Sequence, residues 1–511
     1  MRRAVGFFAC CAMGATVAVL APGTASAADV FNSRPYRQIV TVPNIVHHEQ
    51  VLQNIADANG GIRLAGTSGN VQTVDYIAST MTADGWAVQK QPFVFPYFQE
   101  LAPSTFSQGG QPFVNGTDFA TMQYSGSGDV TANVTAVGPL NVPIGNTPAG
   151  TTTSGCTAAD FAGFPDGNIA LVQRGTCTFG TKAANAEAAG ASAIVIFNEG
   201  QAGRTDAVAG TLGGPVGIPA LGATYQLGVD AVTALRGGQT VTWHITTSTV
   251  SENRTTYNVI ADSPWGDPNR TVVVSAHNDS VAAGPGINDD GSGTAMDLEL
   301  ARQLGAEGQL PRNHVRFLWV GAEEEGLLGS AYYVSQLSAA DRSKIIAMLD
   351  FDMVASPNYA RQVYDGDGST FGSDVSGPNG SGLIEGLFSR WFDSQGQAHE
   401  PIPFDGRSDY VAFTNAGIPA GGIFTGAEKL KTAEEADLFG GVAGVALDHC
   451  YHQACDTINN LNLKALGEMK DAAADVLYQL MLTRSPITDG STIKPGGGHG
   501  PATFVGHTAV R

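Results

Sequence analysis

Three buried-strand patterns in the second half of the chain constrain its fold most. The apolar runs 271–276, 315–320 and 345–349 have the length and composition of strands buried on both faces. Helical patterns lie between them, as in the segment from about Ser292 to Leu304. Strands that alternate with helices predict an α/β fold with a mixed, mostly parallel sheet sandwiched by helices.

The chain is long enough for two folded units. Its 511 residues are 43% hydrophobic and 14% charged, a balance typical of soluble globular proteins. Residues 42–84 look helical, with a break at Gly60-Gly61, whereas residues 96–255 are rich in Gly, Thr, Val and Ala and contain short apolar runs at 169–173 and 193–197. We therefore predict a β-rich domain at 96–255, inserted between residues 28–95 and 256–484. The Gly-rich segment 485–511 predicts a flexible tail.

The N-terminus has the pattern of a secretory signal peptide. Arg2 and Arg3 precede an apolar run from Ala4 to Leu20, and the small residues Ala25-Ser26-Ala27 predict cleavage after residue 27. We therefore expect residues 1–27 to be removed and the protein to be secreted to the extracellular space. The alternative is a retained membrane anchor, which the shortness of the run disfavours. We expect no membrane partner.

Charge and cysteine content fit an exported protein. The net charge is −20, and loss of the two signal arginines leaves 25 basic and 47 acidic residues, a charge of −22. Nucleic acid is therefore not an expected partner. The four cysteines outside the signal form two local pairs, Cys156 with Cys177 and Cys450 with Cys455. In an oxidising compartment both pairs should be disulfides, the alternative being free thiols.

Histidine and carboxylate side chains follow the three strands. They are His277, Asp279, Asp289 and Asp290 after the first, Glu323, Glu324 and Glu325 after the second, and Asp350 and Asp352 after the third. Because parallel strands end at the same edge of a sheet, these side chains should lie close together. His452, inside the second cysteine pair, offers another imidazole. Zinc takes imidazole and carboxylate ligands, so the sequence predicts a two-metal hydrolytic site.

Each of these features also has an ordinary explanation. An acid after a strand is often a helix cap, and Asn288-Asp289-Asp290-Gly291 alone would form a turn. The Gly-rich turn at residues 284–293 is not followed by Lys-Ser/Thr in P-loop spacing, so it does not indicate a phosphate-binding loop. The chain also contains neither H-E-x-x-H nor G-x-S-x-G, the motifs of the commonest zinc and serine hydrolases. The combination of all these residues at one edge is what favours catalysis.

The motifs resemble those of the M28 family of zinc aminopeptidases, especially its secreted bacterial members. The matching segments are His277-x-Asp279, 286–293, 321–324, 351–353 and 450–452, with further matches at 48–63, 406–410 and 417–426. The resemblance implies the zinc-exopeptidase fold, two Zn²⁺ per chain, and peptide substrates with a free N-terminus and a leucine-like first residue. We expect a monomer, although the sequence itself does not reveal the oligomeric state. Calcium is a second cofactor to consider, which the sequence assigns to no residue.

The resemblance also implies roles for individual residues. Asp289 would bridge both ions, His277 and Asp352 would complete the ligands of one, and Glu324 and His452 those of the other. Glu323 would be the general base, Asp279 would orient His277, and Tyr451 would donate a hydrogen bond to the oxyanion. Arg407 and Phe424 fall in segments that line the pocket for the N-terminal side chain.

The inserted domain resembles the protease-associated (PA) domain through residues 167–175, 177–179 and 188–197. Such a domain would either cover the active-site cleft or act as a spacer. The same fold hosts carboxypeptidases, one-zinc cyclases and metal-free receptors, and a complete ligand set argues against the last two. A carboxypeptidase, with Arg407 as the cation for the substrate carboxylate, remains an alternative, as does a peptide-binding protein with incidental catalysis.

Overall fold

The computed structural model describes residues 31–489, which build one mixed sheet with helices against both faces. The predicted signal peptide at 1–27 lies outside these residues, as does the predicted tail from residue 490 onward. We call residues 31–95 and 256–489 the main unit and residues 96–255 the insert. Among the described helices, none is both long and apolar enough to span a bilayer.

The strands and helices are numbered in chain order. The strands are β1 Ala87–Gln108, β2 Gln111–Pro112, β3 Phe119–Thr121, β4 Gly128–Ala136, β5 Ile169–Gln173, β6 Ala193–Phe197, β7 Ala220–Ala223, β8 Thr242–Asp262, β9 Asp267–His277, β10 Asn313–Val320, β11 Ile345–Asp350, β12 Gln362–Tyr364, β13 Glu400–Ile402 and β14 Ala420–Phe424. The helices are α1 Arg34–Ile39, α2 Val42–Ala58, α3 Ser68–Ala83, α4 Phe179–Ala188, α5 Tyr225–Arg236, α6 Gly291–Gln303, α7 Leu328–Gln336, α8 Ala339–Arg342, α9 Ser381–Ser394, α10 Tyr410–Asn415, α11 Ala433–Phe439 and α12 Leu463–Leu482. Short 3₁₀ turns span Ala158–Phe161, Ser373–Val375 and Ile458–Asn460.

The main unit contains the predicted mostly parallel sheet. Its strand order is β13-β12-β14-β11-β9-β10-β8, in which β14, β11, β9 and β10 are parallel. The short strands β12 and β13 run antiparallel to β14, and β8 runs antiparallel to β10. The carboxyl ends of the central strands therefore meet at one edge, in agreement with the sequence patterns.

Side chains of the central strands alternate between two helical layers. On β9, Val272 and Val274 belong to the core that α6, α9 and α12 cover, whereas Val273 belongs to the core on the opposite face with α7 and α10. The same alternation holds on β10, where Phe317 and Leu318 point to opposite layers. Because both faces are covered, these strands are apolar throughout, which is why they can be recognised in the sequence.

The insert is connected to the main unit by a long two-stranded ribbon. Strands β1 and β8 pair antiparallel from Ala87 opposite Asp262 to Gln108 opposite Trp243. The predicted domain boundaries fall within this ribbon, where Phe95 pairs with Arg254. Beyond it the sheet continues in the order β8-β4-β5-β6-β7-β3, with α4 and α5 on opposite faces. The insert contains the predicted Cys156–Cys177 disulfide.

Capping residues and glycines set the helix ends around the site. Thr41 and Thr67 cap α2 and α3 through their side-chain oxygens, and Gly60 and Gly61 between these helices have φ of 77° and 85°. At the other end of the chain, the Asp489 carboxylate accepts hydrogen bonds from the N–H groups of Gly380 and Leu383 at the start of α9. Residues 485–489, which the composition predicts as the start of a flexible tail, thus lie against α9.

Candidate active site

The structure brings the predicted metal ligands together at the carboxyl edge of the sheet. They come from five separate segments, and we call them the ligand cluster: His277 at the end of β9, Asp289 in the turn before α6, Glu324 after β10, Asp352 after β11, and His452 between α11 and α12. The predicted base Glu323 lies beside them. The loop that carries His452 is closed by the predicted Cys450–Cys455 disulfide.

Asp289 lies between the two histidines. Its Oδ1 atom is 3.1 Å from Nε2 of His277, and its Oδ2 atom is 3.2 Å from Nε2 of His452. Glu324 Oε2 lies 3.1 Å from the same atom of His452, and Asp352 Oδ1 lies 3.9 Å from Nε2 of His277. The cluster thus divides into two groups that share one carboxylate, which is the arrangement needed for a carboxylate that bridges two ions.

Several oxygens of the site have no hydrogen-bond donor within the described part of the chain. Three buried atoms lack such a donor: Oε1 of Glu323, Oε1 of Glu324 and Oδ1 of Asp352. The other oxygen of Asp352 accepts a hydrogen bond from Ser408 at 2.9 Å, which leaves Oδ1 directed at His277. Buried carboxylate oxygens without donors are unfavourable unless a cation meets them, so these residues fit a metal centre.

The electrostatics of the cluster also call for added positive charge. Burial and the Asp289 carboxylate raise the pKa of Glu324 to about 7 and that of Asp352 to about 6. Burial lowers the pKa of His452, but the Glu324 and Asp289 carboxylates outweigh it and raise that pKa to about 10. With only its own charges, the site therefore resists ionisation of Glu324 and Asp352, and divalent cations would relieve that resistance.

Three turns at the site contain a non-glycine residue in the left-handed region. They are Ala322 next to Glu323, Met353 next to Asp352, and His452 itself, with φ of 54°, 53° and 56°. Such residues cost roughly 1–3 kcal/mol each and tend to occur at functional sites. Their position beside the predicted ligands and base indicates that the fold accepts local strain to aim these side chains.

A layer of acids behind the cluster holds its backbone in place. Asp279 lies 3.6 Å from Nδ1 of His277 and accepts a hydrogen bond from the N–H of Glu323, so it contacts both a ligand and the predicted base. Asp290, to which the sequence assigns no role, caps α6 and accepts hydrogen bonds from the N–H groups of His277 and Met353. Together they tie three of the ligand-bearing turns to one another.

Tyr451 lies next to His452 and contacts Arg407. Its ring stacks on the imidazole with centroids 3.9 Å apart, and its hydroxyl oxygen is 3.3 Å from Nη2 of Arg407. Burial, with the Asp289 and Glu324 carboxylates, raises the pKa of Tyr451 well above its ordinary value. The hydroxyl therefore keeps its proton and is suited to donate a hydrogen bond.

A cavity of about 280 Å³ opens beside the cluster. Six of its larger apolar side chains, which we call the pocket wall, are those of Met353, Tyr364, Phe371, Ile402, Phe424 and Leu447. Carboxylates of Asp289, Glu323 and Asp352 also line it. The cavity therefore combines an apolar lining with a negatively charged side, and the two predicted substrate-binding residues, Arg407 and Phe424, both line it.

Comparison with known proteins places this geometry in a family. The model of "Peptidase family M28" matches residues 258–477, and that of "PA domain" matches residues 133–230. An "Aminopeptidase" of Pseudomonas aeruginosa is 45% identical over 452 residues, which cover 87% of this chain and 82% of that protein. The chain belongs to peptidase family M28. A "Probable leucine aminopeptidase 2" of Aspergillus fumigatus is 43% identical over 439 residues, 84% of this chain and 82% of that protein.

Solved structures of the M28 fold superimpose on most of this chain. The "Aminopeptidase from Aneurinibacillus sp. strain AM-1" gives a TM-score of 0.59 at 27% identity, covering 89% of this chain and 98% of that one. A zinc aminopeptidase from Bacillus subtilis gives a TM-score of 0.53 at 25% identity, covering 87% and 97%. The predicted fold class, with its inserted PA domain, is confirmed.

Several residues that support this M28 site were not recognised in the sequence. Asn278 donates hydrogen bonds to the backbone oxygens of Tyr257 on β8 and Trp319 on β10, and thus ties the end of β9 to two strands on the same side of it. The buried guanidinium of Arg63 donates to the carbonyl oxygens of Asn278, Pro285 and Gly286. These are contacts across 21 to 223 positions of sequence, for which no local pattern exists.

Asp456 is the other residue that the sequence did not reveal. It follows Cys455 directly, and its two oxygens accept the N–H groups of Asn288 and Asp289 at 2.9 and 3.0 Å. The disulfide loop therefore carries a predicted ligand, His452, and is followed at once by the acceptor that holds the backbone of the bridging Asp289.

Proposed function

We propose that this protein is a secreted aminopeptidase that holds two zinc ions and removes large hydrophobic, leucine-like residues from the N-termini of peptides. That the protein is a metalloaminopeptidase follows from its membership of the M28 family and from its aminopeptidase relatives. The number of ions, the side-chain preference and the secretion are proposals. The observation that carries the proposal is Asp289, whose two oxygens lie 3.1 and 3.2 Å from two different histidines.

The ligand cluster suits two zinc ions. Asp289 would contact both, His277 and Asp352 would hold one, and Glu324 and His452 the other, since each group offers an imidazole nitrogen and carboxylate oxygens. When bound, a zinc pair polarises the scissile carbonyl and lowers the pKa of the attacking water. The unpaired oxygens of Glu324 and Asp352 support this assignment.

The chain's own residues would then move the protons and stabilise charge. Glu323 lines the cavity and has a buried Oε1 without a donor among the described residues, so it can take a proton from water and pass it to the leaving amine. Tyr451, held by Arg407 and kept protonated, would donate a hydrogen bond to the oxyanion as it forms. Asp279 contacts the ring of His277 and accepts a hydrogen bond from the N–H of Glu323, so it would orient one metal ligand and the base.

The charges at the pocket favour an N-terminus over a C-terminus. A carboxypeptidase needs a cation for the substrate carboxylate, yet Arg407 makes a two-atom contact with Glu428, with Nη1 and Nη2 2.8 and 3.0 Å from its oxygens. The other basic residue of the cavity, Lys429, lies 2.6 Å from Glu435. Acids therefore dominate the charged part of the pocket lining, which suits an α-ammonium group, and the apolar wall suits a leucine side chain.

Two observations support secretion. The first 27 residues have the signal-peptide pattern, and both cysteine pairs outside it form disulfides, as proteins of oxidising compartments do. Detection of mature protein starting near residue 28 in the culture medium of a producing cell would support the proposal. A retained, uncleaved N-terminus in the cell fraction would contradict it.

The insert's role as a cover over the cleft stays a prediction. The insert can be deleted at the ribbon to test this. Phe95 pairs with Arg254, so an Asn-Gly turn that replaces the residues between them would join β1 to β8 as a hairpin. If the insert excludes large substrates, this folded variant should degrade whole proteins from the N-terminus faster relative to short peptides. An unchanged ratio would favour the spacer role.

Mass spectrometry of the products of one leucine-starting peptide, supplied free and N-acetylated, tests the function itself. We expect stepwise loss of residues from the free N-terminus only, abolished by a chelator and restored by two equivalents of zinc. Cleavage from the C-terminus would instead favour the carboxypeptidase. Retention of the peptide without turnover would favour the binding protein.

A further inference from the structure

A second group of acidic side chains lies away from the ligand cluster, on the loop 365–376 that follows β12. Asp365 and Asp367 belong to this loop, and Glu385 to α9. Each of the three offers a carboxylate oxygen, and these oxygens all lie within 4.8 Å of one another. Asp365 is fully buried, Glu385 is partly buried and Asp367 is exposed, so the group is open to solvent on one side.

One oxygen of this group is buried without a donor. Oδ2 of Asp365 accepts the N–H groups of Thr370 and Phe371 at 3.0 and 2.8 Å. Its Oδ1 atom is buried and accepts no hydrogen bond from the residues that the structure describes, although the side chain is 0% exposed. A buried carboxylate oxygen of this kind is unfavourable unless a donor or a cation satisfies it.

Close packing keeps the three carboxylates together. A Cβ atom at Gly366 would lie 2.3 Å from the carbonyl carbon of Ser381, and one at Gly382 would lie 2.7 Å from Cβ of Asp367. Oε2 of Glu385 also accepts the N–H of Gly366 at 2.9 Å. The loop therefore lies directly on the first turn of α9, and this packing holds the backbones of the three acids close together.

We propose that Asp365, Asp367 and Glu385 form a binding site for one calcium ion. The group offers oxygen ligands alone, with no histidine or cysteine among them, which suits a hard cation rather than zinc. Calcium accepts irregular sets of six to eight oxygens and can complete its shell with water on the exposed side. The oxygen-bearing side chains of Asp365, Asp367 and Ser369 also have the spacing of the first three ligands in EF-hand loops.

The ion would act on the specificity pocket. Phe371 belongs to the pocket wall, and its N–H donates to Asp365, the most buried member of the site. Calcium would fix this carboxylate and hence the loop that carries Phe371. This consequence rests on the proposed aminopeptidase function, whereas the ion site itself does not.

Titration calorimetry with CaCl₂, using zinc-loaded, full-length protein, tests the site without any substrate. We expect one calcium ion per chain, weaker binding of MgCl₂, and an affinity at least about tenfold lower in Asp367→Asn and Glu385→Gln. Asp374→Asn is the matched control, since it removes an acid of the same loop from outside the group. Absence of calcium binding to the wild type, or equal affinity in Asp367→Asn, would overturn the proposal.

Kinetics with leucine p-nitroanilide test the coupling to the pocket. Removal of calcium should raise KM several-fold in the wild type and leave kcat nearly unchanged, and Asp367→Asn should show the raised KM at all calcium concentrations. Calcium binding with an unchanged KM would reject the coupling and retain the site. Absence of hydrolysis under every condition would count against the proposed function, and the calorimetric result would still decide the calcium site.

Discussion

The ligand cluster and the pocket wall lie side by side, but they are built differently. The side chains of the cluster lie at strand ends and turns and are at most 15% exposed, from His277 at 1% to His452 at 15%, with backbone and side-chain contacts behind them. The wall draws on loops and short strands. Its Met353, Tyr364 and Leu447 are buried, whereas Phe371, on the loop after β12, is 46% exposed. Every side chain of the part that would perform chemistry is thus closely surrounded, whereas the part that would select the side chain combines buried residues with an exposed loop residue, Phe371, that can adapt.

The largest expected effect comes from removing the predicted base and leaving the metal ligands in place. Glu323→Gln should lower kcat by about 10²–10⁴-fold, because it removes a proton acceptor, and should retain both metal ions, because it removes no predicted ligand. Metal analysis beside steady-state kinetics measures both effects. Glu325→Gln is the matched control, and loss of metal in Glu323→Gln would mean that the roles of the two glutamates are reversed.

The hydroxyl of Tyr451 should come next in effect. Tyr451→Phe removes a single hydrogen-bond donor and leaves the ring stacked on His452, so we expect kcat to fall by about 10²–10³-fold with little change in KM. Binding of a product-like inhibitor should be unaffected. A rise in KM with kcat preserved would place the hydroxyl in substrate binding instead.

Asp456 tests whether the support behind the cluster matters. Asp456→Asn keeps the shape but leaves one acceptor for the N–H groups of Asn288 and Asp289, so the bridging carboxylate loses part of its support. We expect zinc affinity or activity to fall by about 10–100-fold. Asp437→Asn, an exposed acid on α11, is the control. Competition with a chelator measures the affinity, and an unchanged value would remove Asp456 from the support of the site.

The same contrast explains what could be predicted from the sequence. Strands buried on both faces are continuous apolar runs, and the parallel sheet brings their ends to one edge. The sequence alone therefore suffices to group His277 and Asp289 with the acids that follow the next two strands. Asp456 and Asn278 act through hydrogen bonds to segments distant in sequence, which leave no periodic signal.

Apart from Phe424, the pocket wall could not be predicted from the sequence, for a related reason. Its residues come from loops and short strands whose only shared property is that they meet in space. The ribbon of β1 and β8 was also not predicted. The composition changes near residues 96 and 255, which lie in the middle of these two strands rather than at their ends. In each case the information lies in long-range pairing rather than in local pattern.

The smallest expected effect is on the wall itself. Phe371→Ala removes a half-exposed ring, so only part of its apolar contact with a bound side chain is lost, roughly 1 kcal/mol or about fivefold in kcat/KM. The loss should fall on leucine substrates and leave alanine substrates nearly unchanged, because a methyl group does not reach across the pocket. Comparing kcat/KM for the two p-nitroanilides isolates this selectivity. Equal losses on both substrates would mean that Phe371 acts on the ligand cluster. The pocket wall would then contribute to catalysis as well as to side-chain selection, and the two regions would not have separate roles.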